Sequence, residues 1–304
     1  MMSSFTYDSL EMPPCGVGES PIWDAGIGRA FLVDIIGKTI SCFDLEGTNR
    51  KVWESDDFPT SVSVIDQSQL LVGLASGVAV LSQDSGMLGP VCQVDATYGN
   101  RLNEGKCDPR GRLWLGSMQT NLNPDGSGKP MDRNSGALFC FKSPADISRH
   151  TEFEFGISNT LAWSPDGGKL YFGDSIRDVI FEFDFDMDRG IPNNPKPLLE
   201  GYGIGAPDGS AMDIDGCLWN TRFGGSQLIR ITPTGKVDRV LELPVSNPTS
   251  CTFAGPNLDR LILTSATFTL SEEQLNENPL EGSTLVLDVG TSGLADTRYT
   301  GEIP

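Results

Sequence analysis

The chain has 304 residues, including 35 glycines and 20 prolines, and a formal net charge of −19. This charge is typical of a soluble acidic surface and argues against binding to nucleic acids or anionic membranes, which require lysine- and arginine-rich patches. No apolar run approaches the roughly 20 residues of a transmembrane helix, and the first fourteen residues lack a signal-peptide pattern. We therefore expect a cytoplasmic protein, monomeric or weakly oligomeric, without nucleic-acid or membrane partners.

One short sequence phrase recurs six times along the chain. Each copy begins with a turn residue or a polar pair, continues with apolar residues and ends in small or polar residues. The copies span residues 28–35, 68–75, 111–118, 168–175, 216–223 and 259–266. Their starts lie 40 to 57 residues apart, and a period of about 40 to 50 residues is typical of propellers and solenoids.

Each repeat contains three more strand-like segments. A segment such as 38–44 follows the phrase with alternating apolar and polar residues, as half-buried strands do. A third segment precedes the next repeat, as at 90–95 and 150–155. A fourth, which we expect to be the innermost strand, leads into each phrase. The six innermost strands are predicted at 21–24, 62–66, 105–108, 161–164, 209–213 and 250–253.

These segments predict a single all-β domain over residues 1–304. Short strands separated by Gly, Asp and Pro turns indicate antiparallel sheets, and four strands in six repeats predict a six-bladed β-propeller around a central channel. We expect residues 5–10 to pair with the last blade and so close the ring, which removes a sheet edge. The best helical candidate is 271–276.

Polar residues occupy the same position just before several innermost strands. The residue five positions before the end of the predicted strand is Glu19, Asn103, Asn159 or Asp208 in four of the repeats. The equivalent positions in the other two repeats, Ser61 and the region 247–249, do not carry such a carboxylate or carboxamide in the same register. All of these positions should lie at one mouth of the channel. Asn and Asp also favour loops by binding backbone donors, but four in register favour a polar or metal site. Carboxylate and carboxamide oxygens suit a hard cation such as Ca²⁺, Mg²⁺ or Mn²⁺.

The single histidine and the seven cysteines exclude several mechanisms. His150 lies beside a predicted outer strand, where we expect a surface side chain, so Ser-His-Asp and Cys-His catalysis are nearly excluded. No two cysteines are spaced as CxxC, which indicates core thiols rather than disulfides or a zinc site. Cys107 has no neighbouring base to activate it as a nucleophile.

Five phrases carry a resemblance to a known family. They are GESPIW at 18–23, RLNEGKCDPRGR at 101–112, GSM at 116–118, SNTLAWSPD at 158–166 and PDG at 207–209. In this order and spacing, the chain resembles the regucalcin/gluconolactonase family of six-bladed propeller lactonases from about residue 15 to 290.

The resemblance implies a set of site residues. One divalent cation would be held by Glu19, Asn159 and Asp208, and the lactone would contact Arg101 and Asn103. The ion would be Ca²⁺, or Zn²⁺, Mn²⁺, Mg²⁺ or Fe²⁺.

The chain also departs from the family pattern. A further substrate contact falls on Asn121, where the family has Glu, and the family's Gly after the metal-binding Asn is Thr160. The Gly-Leu-Phe phrase of the last blade is replaced by 284–286, Thr-Leu-Val. The first two differences bear on the shape of the substrate more than on the metal.

The implied reaction is hydrolysis of an aldono-1,4- or 1,5-lactone to the aldonic acid, in sugar oxidation or catabolism. Asp208 would act as the general base, kept ionised because the cation lowers its pKa. Arg101 would bind lactone oxygens or hydroxyls, or else form a salt bridge to Glu104 or Asp108. Two alternatives remain open: a propeller that binds Ca²⁺ or a ligand without catalysis, and a propeller esterase or phosphotriesterase-like hydrolase.

The stretch 119–135 is polar and rich in turn residues. It should hang over the same mouth, and we expect it to act as a lid. Residues 125–128 resemble part of a calcium loop, but they lack its spacing and its terminal Glu.

Overall fold

The computed structural model describes residues 5–151 and 154–304, and within them the chain forms 23 strands and one helix. Blade 1 contains β2 (Gly18–Asp24), β3 (Arg29–Asp34), β4 (Thr39–Phe43) and β5 (Lys51–Glu54), and blade 2 contains β6 (Pro59–Val64), β7 (Gln69–Leu74) and β8 (Gly77–Ser82). Blade 3 contains β9 (Asn100–Cys107), β10 (Leu113–Gln119), β11 (Leu138–Ser143) and β12 (Asp146–Arg149).

Blade 4 contains β13 (Ser158–Trp163), β14 (Lys169–Asp174), β15 (Val179–Asp186) and β16 (Ile191–Glu200). Blade 5 contains β17 (Ala206–Met212), β18 (Leu218–Phe223), β19 (Gln227–Ile231) and β20 (Val237–Glu242). Blade 6 contains β21 (Pro248–Ala254), β22 (Arg260–Ser265), β23 (Leu285–Asp288) and, from the start of the chain, β1 (Thr6–Ser9). The strand pairs within every blade are antiparallel, which confirms the predicted six-bladed all-β propeller.

The N-terminal segment closes the ring, as predicted. β1 pairs antiparallel with β23, with Thr6 opposite Asp288 and Ser9 opposite Leu285. Residues from the two ends of the chain therefore share one sheet, and blade 6 gains its outermost strand from the N-terminus. Such a junction hides the open edge that the last blade would otherwise expose.

The innermost strands β2, β6, β9, β13, β17 and β21 stand side by side around the channel. Their close approach depends on glycine: a Cβ on Gly105 would lie 2.3 Å from Ser61 Oγ, and one on Gly209 would lie 2.1 Å from Ser250 Oγ. Large apolar side chains fill the spaces between blades, among them the fully buried Trp114 and Trp219. This packing fixes the relative positions of the strand ends that carry polar residues.

Several strand predictions differ from the structure in their bounds. The innermost strands begin two to five residues earlier than predicted, so the polar positions lie inside the strands. The segment expected at 90–95 contributes only an isolated bridge from Cys92 to Val78, and blade 2 has three named strands. The outer strand of blade 3 is Asp146–Arg149 rather than 150–155, of which residues 152 and 153 lie outside the described residues.

The helix α1 spans Glu272–Glu277, close to its predicted position. Ser271 caps its N-terminus: the hydroxyl accepts from the Gln274 N–H, and the Gln274 side chain accepts in return from the Ser271 N–H. This reciprocal pair is a capping box. Within the described ranges, no helix has the length and apolarity needed to cross a bilayer.

Candidate active site

Every innermost strand carries a β-bulge near its start. The pairing register shifts after Glu19 in β2, Pro59 in β6, Leu102 in β9, Asn159 in β13, Pro207 in β17 and Pro248 in β21. A bulge inserts an extra residue and re-aims the side chains beside it. Because the six bulges lie at equivalent positions around the ring, their polar side chains meet at one end of the channel.

A cavity of about 280 Å³ occupies this end of the channel. All six residues predicted from the sequence line it: Glu19, Arg101, Asn103, Asn121, Asn159 and Asp208. Thr249 lines it from blade 6, whereas Ser61 of blade 2 is buried against Gly73 and Gly105. The structure thus brings the predicted residues together, and their individual roles stay predictions.

Three carboxyl groups are buried in or beside this cavity: Glu19, Asp208 and Glu104. Burial, reinforced by the negative charge of Glu104, raises the pKa of Glu19. Burial and the charge of Glu19 likewise raise the pKa of Asp208 well above its usual range. In the bare protein these carboxyls therefore resist ionisation, since each charge lies near another in a site with little water.

Glu104 is the residue that sequence reasoning missed, since it was considered only as a partner for Arg101. Burial raises its pKa, and its charge acts on both Glu19 and Asp208. The extra residue in β9 is its neighbour Asn103, which faces the cavity. A bulge interrupts the alternation of side chains between the two faces of a strand, so two adjacent side chains can both point toward the channel. The signal available in the sequence was this adjacency of Asn103 and Glu104.

A chain of hydrogen bonds along the wall of the cavity joins blades 3, 4 and 5. The Asn103 amide donates to Asn159 Oδ1 at 3.0 Å and to the Ser158 carbonyl at 2.8 Å. The Asn159 amide donates to Ser175 Oγ at 2.9 Å, and that hydroxyl donates to the Pro207 carbonyl at 2.6 Å. The carboxamides of Asn103 and Asn159 are therefore held in fixed orientations.

Arg101 is buried, and other cavity residues hold its guanidinium group. Nη1 donates to Asn103 Oδ1 at 2.7 Å, and Nη2 donates to Asn121 Oδ1 at 3.0 Å. The alternative of a salt bridge to Glu104 or Asp108 is wrong: among the described residues Arg101 forms no salt bridge, and Asp108 instead accepts from Arg112 Nε at 2.6 Å. Within the described part of the chain, the buried Nε of Arg101 has no hydrogen-bond partner.

Thr160 adopts a left-handed backbone conformation, with φ of 50°. Glycine adopts this conformation without strain, whereas a β-branched residue does so at a cost. The Thr160 hydroxyl donates to the Asp208 carbonyl at 2.6 Å and lies 3.1 Å from Ser210 Oγ. The threonine therefore ties the bulge of blade 4 to the bulge that carries Asp208.

The donor set fits a hard divalent cation. Glu19 and Asp208 both line the cavity, and burial together with their mutual negative charge raises the pKa of Asp208, which a bound cation would offset. Glu19, Asn159 and Asp208 offer only oxygen atoms, which Ca²⁺ and Mg²⁺ prefer. Throughout residues 5–151 and 154–304, no three His, Cys, Asp or Glu side chains are grouped to hold a metal ion, so a site here would need the Asn159 carboxamide.

The loop 119–135 lies over the cavity, between β10 and β11. Its tip folds back on itself through a bridge between Leu122 and Gly128, and Leu122 is buried against blades 1 and 2. Gly128 lies against Phe268 of blade 6. The loop thus crosses the mouth from blade 3, as expected of a lid, and its movement stays a prediction. Asp125 binds the N–H and hydroxyl of Ser127 in a local turn.

The thiols and the histidine lie outside this chemistry. All seven cysteines are free, and six are buried. Burial raises the pKa of Cys107 to about 12, which leaves it unreactive at neutral pH. His150 is half-buried rather than exposed, because its ring packs 5.0 Å from the Trp114 ring and bonds to Ser148 Oγ.

Comparison with known proteins places these features in a family. Residues 17–267 match the family described as SMP-30/Gluconolactonase/LRE-like region. Regucalcin of Xenopus laevis is 30% identical over 305 residues, which cover 99% of this chain and 100% of that protein. The 6-deoxy-6-sulfogluconolactonase of Pseudomonas putida is 30% identical over 304 residues, which cover 97% of this chain and 99% of that protein.

Solved structures agree with the family match. The regucalcin of Agrobacterium tumefaciens, described as a calcium-binding protein, superposes with a TM-score of 0.89 at 25% identity and covers 97% of this chain and 98% of its own. Fold, sequence match and site geometry lead to one conclusion: the chain belongs to the SMP-30/gluconolactonase/LRE-like family.

Proposed function

We propose that this protein is a divalent-metal-dependent lactonase that opens a lactone ring to the hydroxy acid, with aldonolactones as the substrate class. The observation that carries the proposal is the single cavity in which Glu19, Asn159 and Asp208 lie beside Arg101 and Asn103. A relative of the same length is named a 6-deoxy-6-sulfogluconolactonase, which supports ester hydrolysis in this fold.

Glu19, Asn159 and Asp208 would hold the cation. When bound, a divalent cation supplies Lewis-acid polarisation of the ring carbonyl or of the attacking water and stabilises the developing oxyanion. The hydrogen bonds from Asn103 and to Ser175 keep the Asn159 carboxamide in position for this role. The short side chains arise from three different blades, so the rigid ring sets their separation.

Asp208 is the proposed general base. Its carboxylate takes a proton from water while the oxygen of that water adds to the lactone carbonyl carbon. The bond between this carbon and the ring oxygen then breaks, and the ring oxygen takes up a proton to become the hydroxyl of the product. Burial and the charge of Glu19 raise the pKa of Asp208 in the bare protein, and a bound cation would lower it and favour the ionised base.

Arg101, Asn103 and Asn121 are the proposed substrate-binding residues. Arg101 is held by the two carboxamides before any ligand arrives, so little side-chain freedom is lost on binding. Its guanidinium group would bind the carbonyl or hydroxyl oxygens of the substrate through donors that these bonds leave free. The neutral Asn121, whose Oδ1 accepts from Arg101, would offer its amide N–H donors at the lid.

A second candidate is a calcium-binding propeller without turnover. It is favoured by the description of the Agrobacterium tumefaciens relative as a calcium-binding protein. The same three residues would hold the ion, and the cavity would serve no chemical step. The two candidates differ only in turnover, so one assay separates them.

The deciding experiment is a pH-indicator assay of metal-stripped protein against a panel of aldonolactones, with each divalent cation added back. We expect no turnover above the uncatalysed rate without metal and recovery with at least one cation. Metal binding by calorimetry with no turnover on any lactone would establish the binding protein instead. Full turnover in the stripped protein would contradict metal dependence while leaving the lactonase.

A further inference from the structure

The cavity has two chemically different parts. Its floor, formed by the bulges of the innermost strands, is polar and contains Glu19, Asp208 and Asn159. Its rim is formed by the loops and strand ends around the mouth and is apolar. The rim residues are Ile35, Leu122, Ile157, Ile176, Phe223 and Phe268, which come from blades 1, 3, 4, 5 and 6.

The rim offers few partners for hydroxyl groups. The polar residues at this level include Ser175 and Thr269. The Ser175 hydroxyl is already bonded to Asn159 and to the Pro207 carbonyl, and Thr269 Oγ1 accepts from the Asn247 amide at 3.3 Å. The Oδ1 of Asn121 already accepts from Arg101. A sugar hydroxyl placed against Ile176 or Phe268 would lose its bonds to water without replacement, which is unfavourable.

Ile176 is the clearest sign of a missing apolar partner. It follows β14 at the mouth, and 57% of its surface is exposed although it lines the cavity. Phe268 of blade 6, which also lines the cavity, lies against the lid at Gly128. An apolar group entering between these residues would cover surface that water now contacts, and burial of apolar surface is favourable.

We propose that the preferred substrate is an amphipathic lactone: its ester group lies on the polar floor, and an alkyl or aryl substituent on the ring lies against the apolar rim. This inference rests on the proposed lactonase function but departs from it in the substrate, because it places an alkyl- or aryl-substituted lactone above the aldonolactones named there.

The test is a series of δ-lactones that differ only in the alkyl chain next to the ring oxygen, from unsubstituted to pentyl, compared with glucono-δ-lactone. We expect kcat/KM to rise about three- to fourfold per methylene until the rim is filled. We also expect the pentyl lactone to exceed glucono-δ-lactone. A flat series, or a clear preference for glucono-δ-lactone, would overturn the inference and leave the lactonase intact.

A matched pair of variants locates the effect. Ile176→Asn should reduce the preference for the pentyl over the unsubstituted lactone by about fivefold, since it removes apolar contact at the rim. Ile214→Asn is the control, because Ile214 is equally exposed at 58% and does not line this cavity. It should leave the preference unchanged. Equal effects of both variants, or no effect of Ile176→Asn, would contradict the assignment of the rim.

Binding keeps the inference testable even without turnover. If no lactone is hydrolysed, the proposed function fails, and the affinities of the corresponding alkyl δ-lactams can be measured by calorimetry with CaCl₂ present. Affinity that rises with chain length and falls in Ile176→Asn would support the amphipathic site. Affinity independent of chain length would overturn it.

Discussion

Both ends of the central channel contain buried carboxyl groups, but only those at the far end form salt bridges. At the cavity end, Glu19, Glu104 and Asp208 are buried together, and their pKa values are raised. At the far end, Asp296 of the C-terminal segment is fully partnered: it accepts from the Trp23 N–H at 2.9 Å, and its carboxylate lies 3.1 Å from Lys106 Nζ.

The far end is closed by the C-terminal segment. Leu294 N–H donates to the Met212 carbonyl, and Tyr299 N–H donates to the Val64 carbonyl, so the segment crosses the ends of two innermost strands. The Thr252 hydroxyl adds a third bond to Asp296 at 2.6 Å. Burial alone would lower the pKa of Lys106, but the charge and hydrogen bond of Asp296 outweigh it and raise the pKa.

The aspartates in the turns at the far end also have hydrogen-bond and salt-bridge partners. Asp108 accepts from the Trp114 indole N–H at 2.9 Å, and Asp213 accepts from the Trp219 indole N–H at 3.0 Å. Each also pairs with an arginine, Arg112 or Arg230. The comparison teaches that a buried carboxylate alone does not mark a site. What distinguishes the cavity end is that, among the described residues, none of its three carboxyl groups forms a salt bridge, although Arg101 lies in the same cavity.

The largest effect should come from removing the proposed base at the cavity end. Asp208→Asn keeps the size of the side chain but cannot take a proton at neutral pH, so kcat should fall about 10²- to 10⁴-fold. The circular dichroism spectrum should stay unchanged. Asp188→Asn is the control, because its side chain is 84% exposed. Wild-type turnover in Asp208→Asn would remove Asp208 as the base.

The next effect should come from opening the far end. Asp296→Ala leaves Lys106 without its partner, and loss of one member of a buried ion pair costs about 3–5 kcal/mol of the free energy of unfolding. We place this variant toward the lower end because both side chains keep some exposure, 20% for Lys106 and 10% for Asp296. Urea denaturation measures the change.

Asp188→Ala serves as the control, with an expected change within about 1 kcal/mol. The kcat of folded Asp296→Ala should stay within about threefold of wild type if the two ends act independently. A large fall in kcat without loss of stability would show that the far end takes part in the chemistry.

The stability of the metal-free protein should depend on pH in a defined direction. The folded pKa of Glu19 is raised from 4.5 to about 8. The folded state therefore binds more protons than the unfolded state within this window. Stability should be greatest at the low end of the window and should fall as the pH rises toward 8.

Thermal unfolding at pH 5, 6, 7 and 8 with a chelator tests this dependence. A bound divalent cation compensates the carboxylates, so a repeat with CaCl₂ should show a flatter profile and higher melting temperatures. Identical profiles with and without the cation would contradict a cation site at Glu19 and Asp208.

The smallest effect should come from Thr160, which separates strain from hydrogen bonding. Thr160→Gly relieves the left-handed strain but loses the bond to the Asp208 carbonyl, so the two changes of about 1 kcal/mol nearly cancel. Thr160→Ala loses the bond and keeps the strain, so it should be about 1 kcal/mol less stable than Thr160→Gly. Denaturant titration of both variants checks the order, and the reverse order would contradict the strain.

Much of the fold could be read from the sequence because its signals are local. Alternation of side chains and turn residues in each repeat predicted the blades, and the segment 5–10 was correctly assigned to ring closure. Equivalent positions in the repeats also predicted which polar residues share one mouth. The missing fourth strand of blade 2 was not predictable. Residues 90–95 resemble the other predicted outer strands in sequence, yet in the structure only Cys92 forms an isolated bridge there.

The sequence by itself determined the ring, its six-fold register and the convergence of Glu19, Asn103, Asn159 and Asp208, since these depend on strand period and spacing. Only the tertiary structure decided that Glu104 joins the site, that Asp296 seals the far end and that Ile176 and Phe268 form an apolar rim. The physical reason is distance along the chain. Bulges redirect side chains, and ring closure brings together loops that are far apart in sequence, so their contacts follow from packing and not from any local pattern.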